Sequence, residues 1–444
     1  MIKNVLITLF SLITIAAVAQ PKLNSPYTRY GLGDLTSRAL AVQTGRGGLT
    51  TAFNDPFHLN LANPASFAYL RTTTLETGLF AKYSHYTSSA SSLDVWSGNL
   101  SYFALGFTLR SPVNEALDRK KSLWHHGMGV SLSPYSNVGY LVETRDTLPD
   151  LGDIRTSYEG SGGTYKLAWN GASRYKSTSF GATVGWLFGR SKYENTTYFV
   201  DSLPTFQDNF RDEYAVGGLI WNVGMQHDWV LQRAENDKDI PTKWITFGAT
   251  AEGKHNVNTK ADILRVRSRG KNATNGGFVD ADTLSLLSSV DQSITLPSTL
   301  SFGVEYVKVD KFKAGAQFGV ENWSQYKNEV RPETLRNTIS LAGGIEFIPD
   351  YASYNKYLRR VRYRLGAYYR QDPRSVNTVN LDDTGISMGM GFPLVLPRQQ
   401  TSFINFALEA GRFGKSSAIE ESYVRMTVGF TFNDNSWFYK RRFE

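Results

Sequence analysis

Thr299-Leu300-Ser301-Phe302-Gly303-Val304-Glu305-Tyr306-Val307-Lys308-Val309 sets Leu300, Phe302, Val304 and Tyr306 against Thr299, Ser301, Gly303 and Glu305. Successive side chains of a strand point to opposite faces, so this segment is a strand with one apolar and one polar face. The pattern recurs over 312–321, where Phe312, Ala314, Ala316, Phe318 and Val320 oppose Lys313, Gly315, Gln317, Gly319 and Glu321. It returns over 338–348, 384–392 and 423–432, so most of 296–432 is two-faced strand. The fold then depends on what the apolar face meets.

The N-terminus narrows the compartment. Residues 1–19 carry a basic Lys3, an apolar run over 5–18 and the small-residue exit Ala17-Val18-Ala19, the layout of a cleaved secretory signal. The run is short for a membrane anchor, and no stop-transfer segment follows it. With no cysteine in the chain, a lipid-modified cysteine, a disulfide framework and a thiolate metal site are all excluded.

Loss of Lys3 takes the formal charge from +8 to +7, with no lysine or arginine run of the kind that tracks a nucleic acid, so no nucleic-acid partner is expected. The 24 Tyr, 26 Phe, 9 Trp and 39 Gly, with no helix-period run after the signal, favour an all-β chain. A mean hydropathy of −0.32 argues against helical spans only. A transmembrane β-strand needs about 9–11 residues, half of them facing a lumen.

Strands are expected near 73–86, 97–110, 126–143, 153–170, 177–191, 212–230, 242–257, 298–309, 312–322, 337–348, 361–371, 384–393, 401–411 and 421–432. That is a count of about 14, good to two strands either way. Short links such as 309–311 and 170–176 alternate with longer polar ones over 193–211, 258–293 and 323–336. Outer-membrane barrels show this asymmetry, with tight periplasmic turns and long outer loops, and an even strand count then leaves both termini in the periplasm. The alternative is a soluble sandwich or propeller whose apolar faces meet each other. Strands longer than five or six residues, aromatics such as Trp244, Tyr306, Tyr363 and Tyr423 at girdle positions, and the lack of a blade-length repeat favour the barrel.

Two stretches carry a resemblance. Gly45-Arg46-Gly47-Gly48, followed by Asn54-Asp55-Pro56 and Asn63-Pro64-Ala65, resembles the N-terminal hatch of the FadL family of outer-membrane proteins. Leu296-Pro297-Ser298-Thr299-Leu300-Ser301-Phe302-Gly303, with Trp323 after it, is similar to that family's Leu-Pro-x-Thr-Leu strand. Gly343-Gly344-Ile345-Glu346-Phe347, the segment 362–369 and Asp382-Asp383 fit in the same order. The resemblance, which takes in PorV-like relatives that serve secretion machines, implies an antiparallel 14-strand barrel with a small hatch in its lumen. It divides the chain into a signal (1–19), a hatch or plug (20–72), a barrel (73–432) and a periplasmic tail (433–444). By the same resemblance, Asn63, Pro64 and Ala65, with Gly45, Gly47 and Gly48, fix the hatch against the wall; an ordinary turn before the first strand is the competing reading of Asn-Pro-Ala. The opening 24–34 and the tail, with Trp437, Phe438, Tyr439, Arg441 and Arg442, depart from the family pattern.

If the apolar parity faces lipid, Glu305, Glu346, Arg362, Arg364, Glu409 and Arg425 face the lumen, because a charge in hydrocarbon costs about 2–4 kcal/mol at mid-membrane. There they form either a polar pathway for a head group or mutual ion pairs. The six histidines have no triad or zinc spacing, so no enzyme, metal or cofactor is expected. Two functions remain open. One is passive transport of a hydrophobic or amphipathic small molecule across the outer membrane of a Gram-negative bacterium. The other is service as a non-transporting accessory subunit of a secretion or barrel-insertion machine, with other outer-membrane or periplasmic proteins as partners. Outer-membrane lipid is a partner in either case.

Overall fold

The computed structural model describes residues 25–88, 91–110, 122–148, 152–199, 207–235, 237, 240–271, 278–279, 281–376, 379–396, 400–415 and 419–434. The expected signal (1–19) and the tail residues Trp437, Phe438, Tyr439, Arg441 and Arg442 lie outside them.

Fourteen antiparallel strands close into a barrel. They are β1 (Thr73–Thr87), β2 (Ser92–Thr108), β3 (Trp124–Leu148), β4 (Gly152–Tyr175), β5 (Thr178–Phe199) and β6 (Gln207–Arg233). Two strands in pieces follow, β7 (Pro241–Glu252, then His255–Ser268) and β8 (Asp282–Leu296, then Thr299–Lys308). The rest are β9 (Phe312–Glu321), β10 (Thr338–Phe347), β11 (Arg362–Val376), β12 (Val379–Leu396), β13 (Gln400–Gly414) and β14 (Glu420–Asp434). Closure is a continuous ladder from Thr73 opposite Asp434 to Thr87 opposite Glu420. Asn433 belongs to this closure rather than to a tail: its Oδ1 accepts from the Thr72 and Thr74 hydroxyls at 3.1 and 2.8 Å.

The apolar parity points outward and stays uncovered. Trp96 is 74% exposed and Ile386 59%, whereas inward Glu346 is 1% exposed. No second sheet packs on the greasy face, which removes the sandwich, and a barrel without edges removes the unpaired-strand hazard.

Several strands overshoot their expected limits. β3 and β6 run 25 and 27 residues, far more than the nine to eleven a span needs. The link expected at 258–293 is mostly the upper halves of β7 and β8, paired from Asp282–Arg267 to Leu296–His255. Pro297, lacking an N–H, interrupts β8 at the level where Gly253-Lys254 interrupts β7, so the two strands bend together. Tight turns do sit at one rim: Lys176 (φ 52°) between β4 and β5, and Asp310 (φ 53°) between β8 and β9. That rim also carries the longer connection 348–361, tied down where the Ile348 amide donates to Lys311 O at 2.9 Å.

Candidate functional site: a filled lumen

Residues 25–72 cross the barrel interior. The described chain starts at the rim formed by the β13–β14 connection, where the Tyr27 hydroxyl donates to Ile419 O and its ring meets Phe413 edge-on at 5.4 Å. It leaves at the opposite rim, where Thr72 enters β1. Between these ends it contributes a two-residue strand, Asp34–Leu35, paired to β3, a single helical turn, Ala41–Thr44, and a 3-10 turn, Pro64–Tyr69.

The motif residues expected to seat this segment do so by close approach. The Asn63 side-chain oxygen accepts from the Ala65 amide at 3.1 Å and caps the 3-10 turn, with Pro64 at the first helical position, where no amide is required. Its side-chain nitrogen donates to Thr51 O at 2.6 Å. Facing wall positions leave no room for a side chain: a Cβ on Gly224 would lie 2.0 Å from Asn63 Oδ1, and one on Gly248 2.1 Å from Thr51 O. Gly47 and Gly48 take φ of 72° and 83°, the region that favours glycine, and so bring the backbone against β10 and β11. A Cβ on Gly47 would lie 2.7 Å from Ala367 O.

Four of the six expected lumen charges gather around this segment. Glu305 pairs with Arg46, whose side chain is wholly buried. Glu346 pairs with Arg364 at 2.7 Å, and Arg364 also donates to Asn405 Oδ1 at 3.0 Å. Arg362 donates to Asp55 at 2.9 Å, and Lys313 reaches the same carboxylate oxygen at 3.1 Å. Gln317 accepts from the amides of Thr50 and Thr51 at 2.8 and 2.9 Å. Glu409 and Arg425 form a separate, looser pair at 3.8 Å, with the Arg425 guanidinium 4.4 Å above the Phe80 ring. Of the two roles open from sequence, these side chains form mutual ion pairs, and their partners come from the crossing segment. Arg46 and Asp55 were not singled out as partners, because their pairing is tertiary and leaves no local spacing.

Apolar side chains fill much of the remaining interior. Toward the β13–β14 rim, Trp323, Tyr326 and Leu335, from the connection between β9 and β10, join Leu32, Tyr193 and Tyr214 in one buried cluster. The same connection clasps the chain: Arg331 donates to Arg29 O at 2.9 Å, Glu333 accepts from the Gly31 amide at 2.5 Å, and Arg331 stacks 4.0 Å over Tyr193. Arg374 adds bonds to Tyr27 O and Asp34 at 3.0 and 2.8 Å. At the other rim Leu40, Leu59, Phe67 and Leu70 pack on Tyr102 and Ala104. The histidines serve singly, as in His58 with Glu76 at 3.2 Å and His126 with Ser173 at 2.8 Å. Among the described residues no group of His, Asp or Glu is arranged to hold a metal.

The solved structure of a Pseudomonas aeruginosa FadL homologue superposes with a TM-score of 0.55 at 13% identity, covering 90% of this chain and 99% of that one. The Ralstonia pickettii toluene transporter TbuX gives 0.53 at 14%, covering 89% and 99%. The P. putida toluene transporter TodX gives 0.53 at 13%, covering 90% and 99%. The barrel is therefore of FadL type. No curated protein sequence matches the chain. A family model described as BamG matches residues 1–444.

Proposed function

We propose, given that this chain belongs to the BamG family and folds as a FadL-type barrel, that it is a non-transporting accessory subunit of a larger outer-membrane assembly, of the secretion or barrel-insertion kind. The observation that carries this reading is the filled lumen. The crossing segment is locked to the wall by buried ion pairs through Arg46, Asp55, Arg362 and Arg364, and the interior toward the β13–β14 rim is occupied by Trp323, Tyr326 and Leu335. A transporter must break such contacts in each cycle. Truncating one partner of a buried pair costs about 3–5 kcal/mol, and three such pairs favour a permanent plug.

In this reading residues 20–72 are the hatch, the strand rim near Thr73 and Asp434 faces the periplasm, and Trp437, Phe438, Tyr439, Arg441 and Arg442 form a partner-binding tail. A barrel with a sealed interior still offers its rims and its outer wall to other proteins, and it needs neither catalysis nor a cofactor.

The second reading is passive passage of a hydrophobic or amphipathic small molecule. It is favoured by the fold shared with solved structures described as toluene transporters. Gentle detergent extraction from native membranes, with mass spectrometry of co-purifying proteins and lipids, separates the two. A stoichiometric protein partner with no bound small molecule is expected. A hydrophobic ligand retained without any protein partner would reverse the order of the readings.

A further inference from the structure

The outward face of β9 to β14 is not uniformly convex. Residues paired across successive strands, Ala316, Gly343, Ala367, Ile386 and Ala410, form a row whose small members make the floor of a trough of about 920 Å³. A parallel row, Leu341, Tyr369, Thr384, Arg412 and Ser422, forms its other side. The trough slants with the strands: one end lies at Ala316, halfway along β9, and the other at Arg412, two residues from the end of β13.

Three observations identify the occupant. The volume lies within the range of about 300–1,000 Å³ typical of ligand sites. Its walls are mainly apolar, and they open toward the side that the exposed Ile386 and Met388 assign to hydrocarbon. An empty trough there would forfeit dispersion contacts, so an acyl chain fills it. At the rim end the Arg412 side chain is 77% exposed, with only Glu420 nearby at 3.9 Å. Beside it Tyr83 packs on the highly exposed Trp96 with ring centroids 5.1 Å apart, an aromatic pair of the kind that marks the headgroup level. A guanidinium at that level matches a phosphate oxygen pair.

We propose that this trough is a binding site for one lipid of the leaflet at the β13–β14 rim, a lipid A-type glycolipid, with an acyl chain lying over Gly343 and Ala367 and a phosphate held by Arg412. The site rests on the outer-membrane placement proposed above and is independent of the choice between subunit and transporter.

The test uses the full chain refolded in detergent, titrated with purified diphosphoryl lipid A and read by native mass spectrometry. The wild type is expected to hold one lipid A per barrel. Arg412→Glu should lower its retention at least tenfold, and Ala367→Phe should do the same while leaving the charge intact. Ala410→Leu provides a second filled trough. An unchanged heat shift on an unheated gel confirms that each variant is a folded barrel, and loss of that shift in the wild type would instead count against the barrel's membrane placement. Retention within twofold of wild type in folded Arg412→Glu and in either folded trough variant overturns the site. So does equal retention of phosphatidylglycerol in competition, which would make the wall a general lipid surface.

Discussion

Replacing Glu305 by alanine removes the only hydrogen-bond acceptor of Arg46 while leaving the barrel wall's backbone ladder untouched. Arg46 is 0% exposed, and its Nε and Nη1 have no partner among the described residues, so after the substitution its guanidinium is buried with no direct counter-charge. Breaking a buried pair from one side costs about 3–5 kcal/mol. At about 1.4 kcal/mol per factor of ten, that is roughly a hundred- to few-thousand-fold rise in the population whose crossing segment is unseated. Hydrogen exchange read on peptides covering 41–52 measures it, because the Gly47 amide donates to Ser387 Oγ at 2.8 Å and those of Thr50 and Thr51 to Gln317. Exchange there should accelerate by that factor while peptides from β9 to β14 keep their protection. The double variant Arg46→Met with Glu305→Leu should recover most of the loss, since a buried pair replaced by apolar groups of similar volume is often neutral or stabilising. Protection of 41–52 that stays within threefold of wild type in Glu305→Ala would refute the reasoning. So would a double variant no better than the worse single one.

Asn63→Ala should weaken the seat by about 1–2 kcal/mol, since it loses both the cap on Ala65 and the bond to Thr51 O, and limited proteolysis should then cut within 50–70 faster than in wild type. Gly224→Val puts a side chain where Asn63 Oδ1 lies, so the segment should be displaced in barrels that still shift on an unheated gel; normal exchange over 60–70 would show that the close approach is wrong. Truncation after Asp434 keeps the Asn433 bonds to Thr72 and Thr74 and should leave the heat shift unchanged while losing a co-purifying partner. Unaltered association would remove the tail from the account.

The alternation that made the fold legible exists because the two faces of each strand meet different media. Phe302 and Ile386 must be apolar, and Glu305 and Arg364 must not be. Where that requirement lapses, the reading lapsed with it. The first eight residues of β8, from Asp282, are exposed on both faces, carry no alternation and look like loop. Trp323, Tyr326 and Leu335 also sit in a polar connection, and nothing in their spacing tells that they turn inward onto Leu32. The candidate site was half visible. Inward parity found Glu305, Glu346, Arg362 and Arg364, but their partners Arg46 and Asp55 lie some three hundred positions away, a distance only the closed barrel spans. Gly224 and Gly248 could be read as weak strand positions, and the backbone of 51–63 pressed against them supplies the reason for them.

Ion conductance across a planar bilayer tests the filled lumen most directly. Inserted wild-type barrels should show no steady conductance, and barrels carrying Glu305→Ala together with Trp323→Ala and Tyr326→Ala should show discrete openings as the plug and its cap loosen. Steady open-channel current through the wild type, unchanged in the triple variant, would contradict a lumen sealed by residues 25–72 and the 322–337 connection.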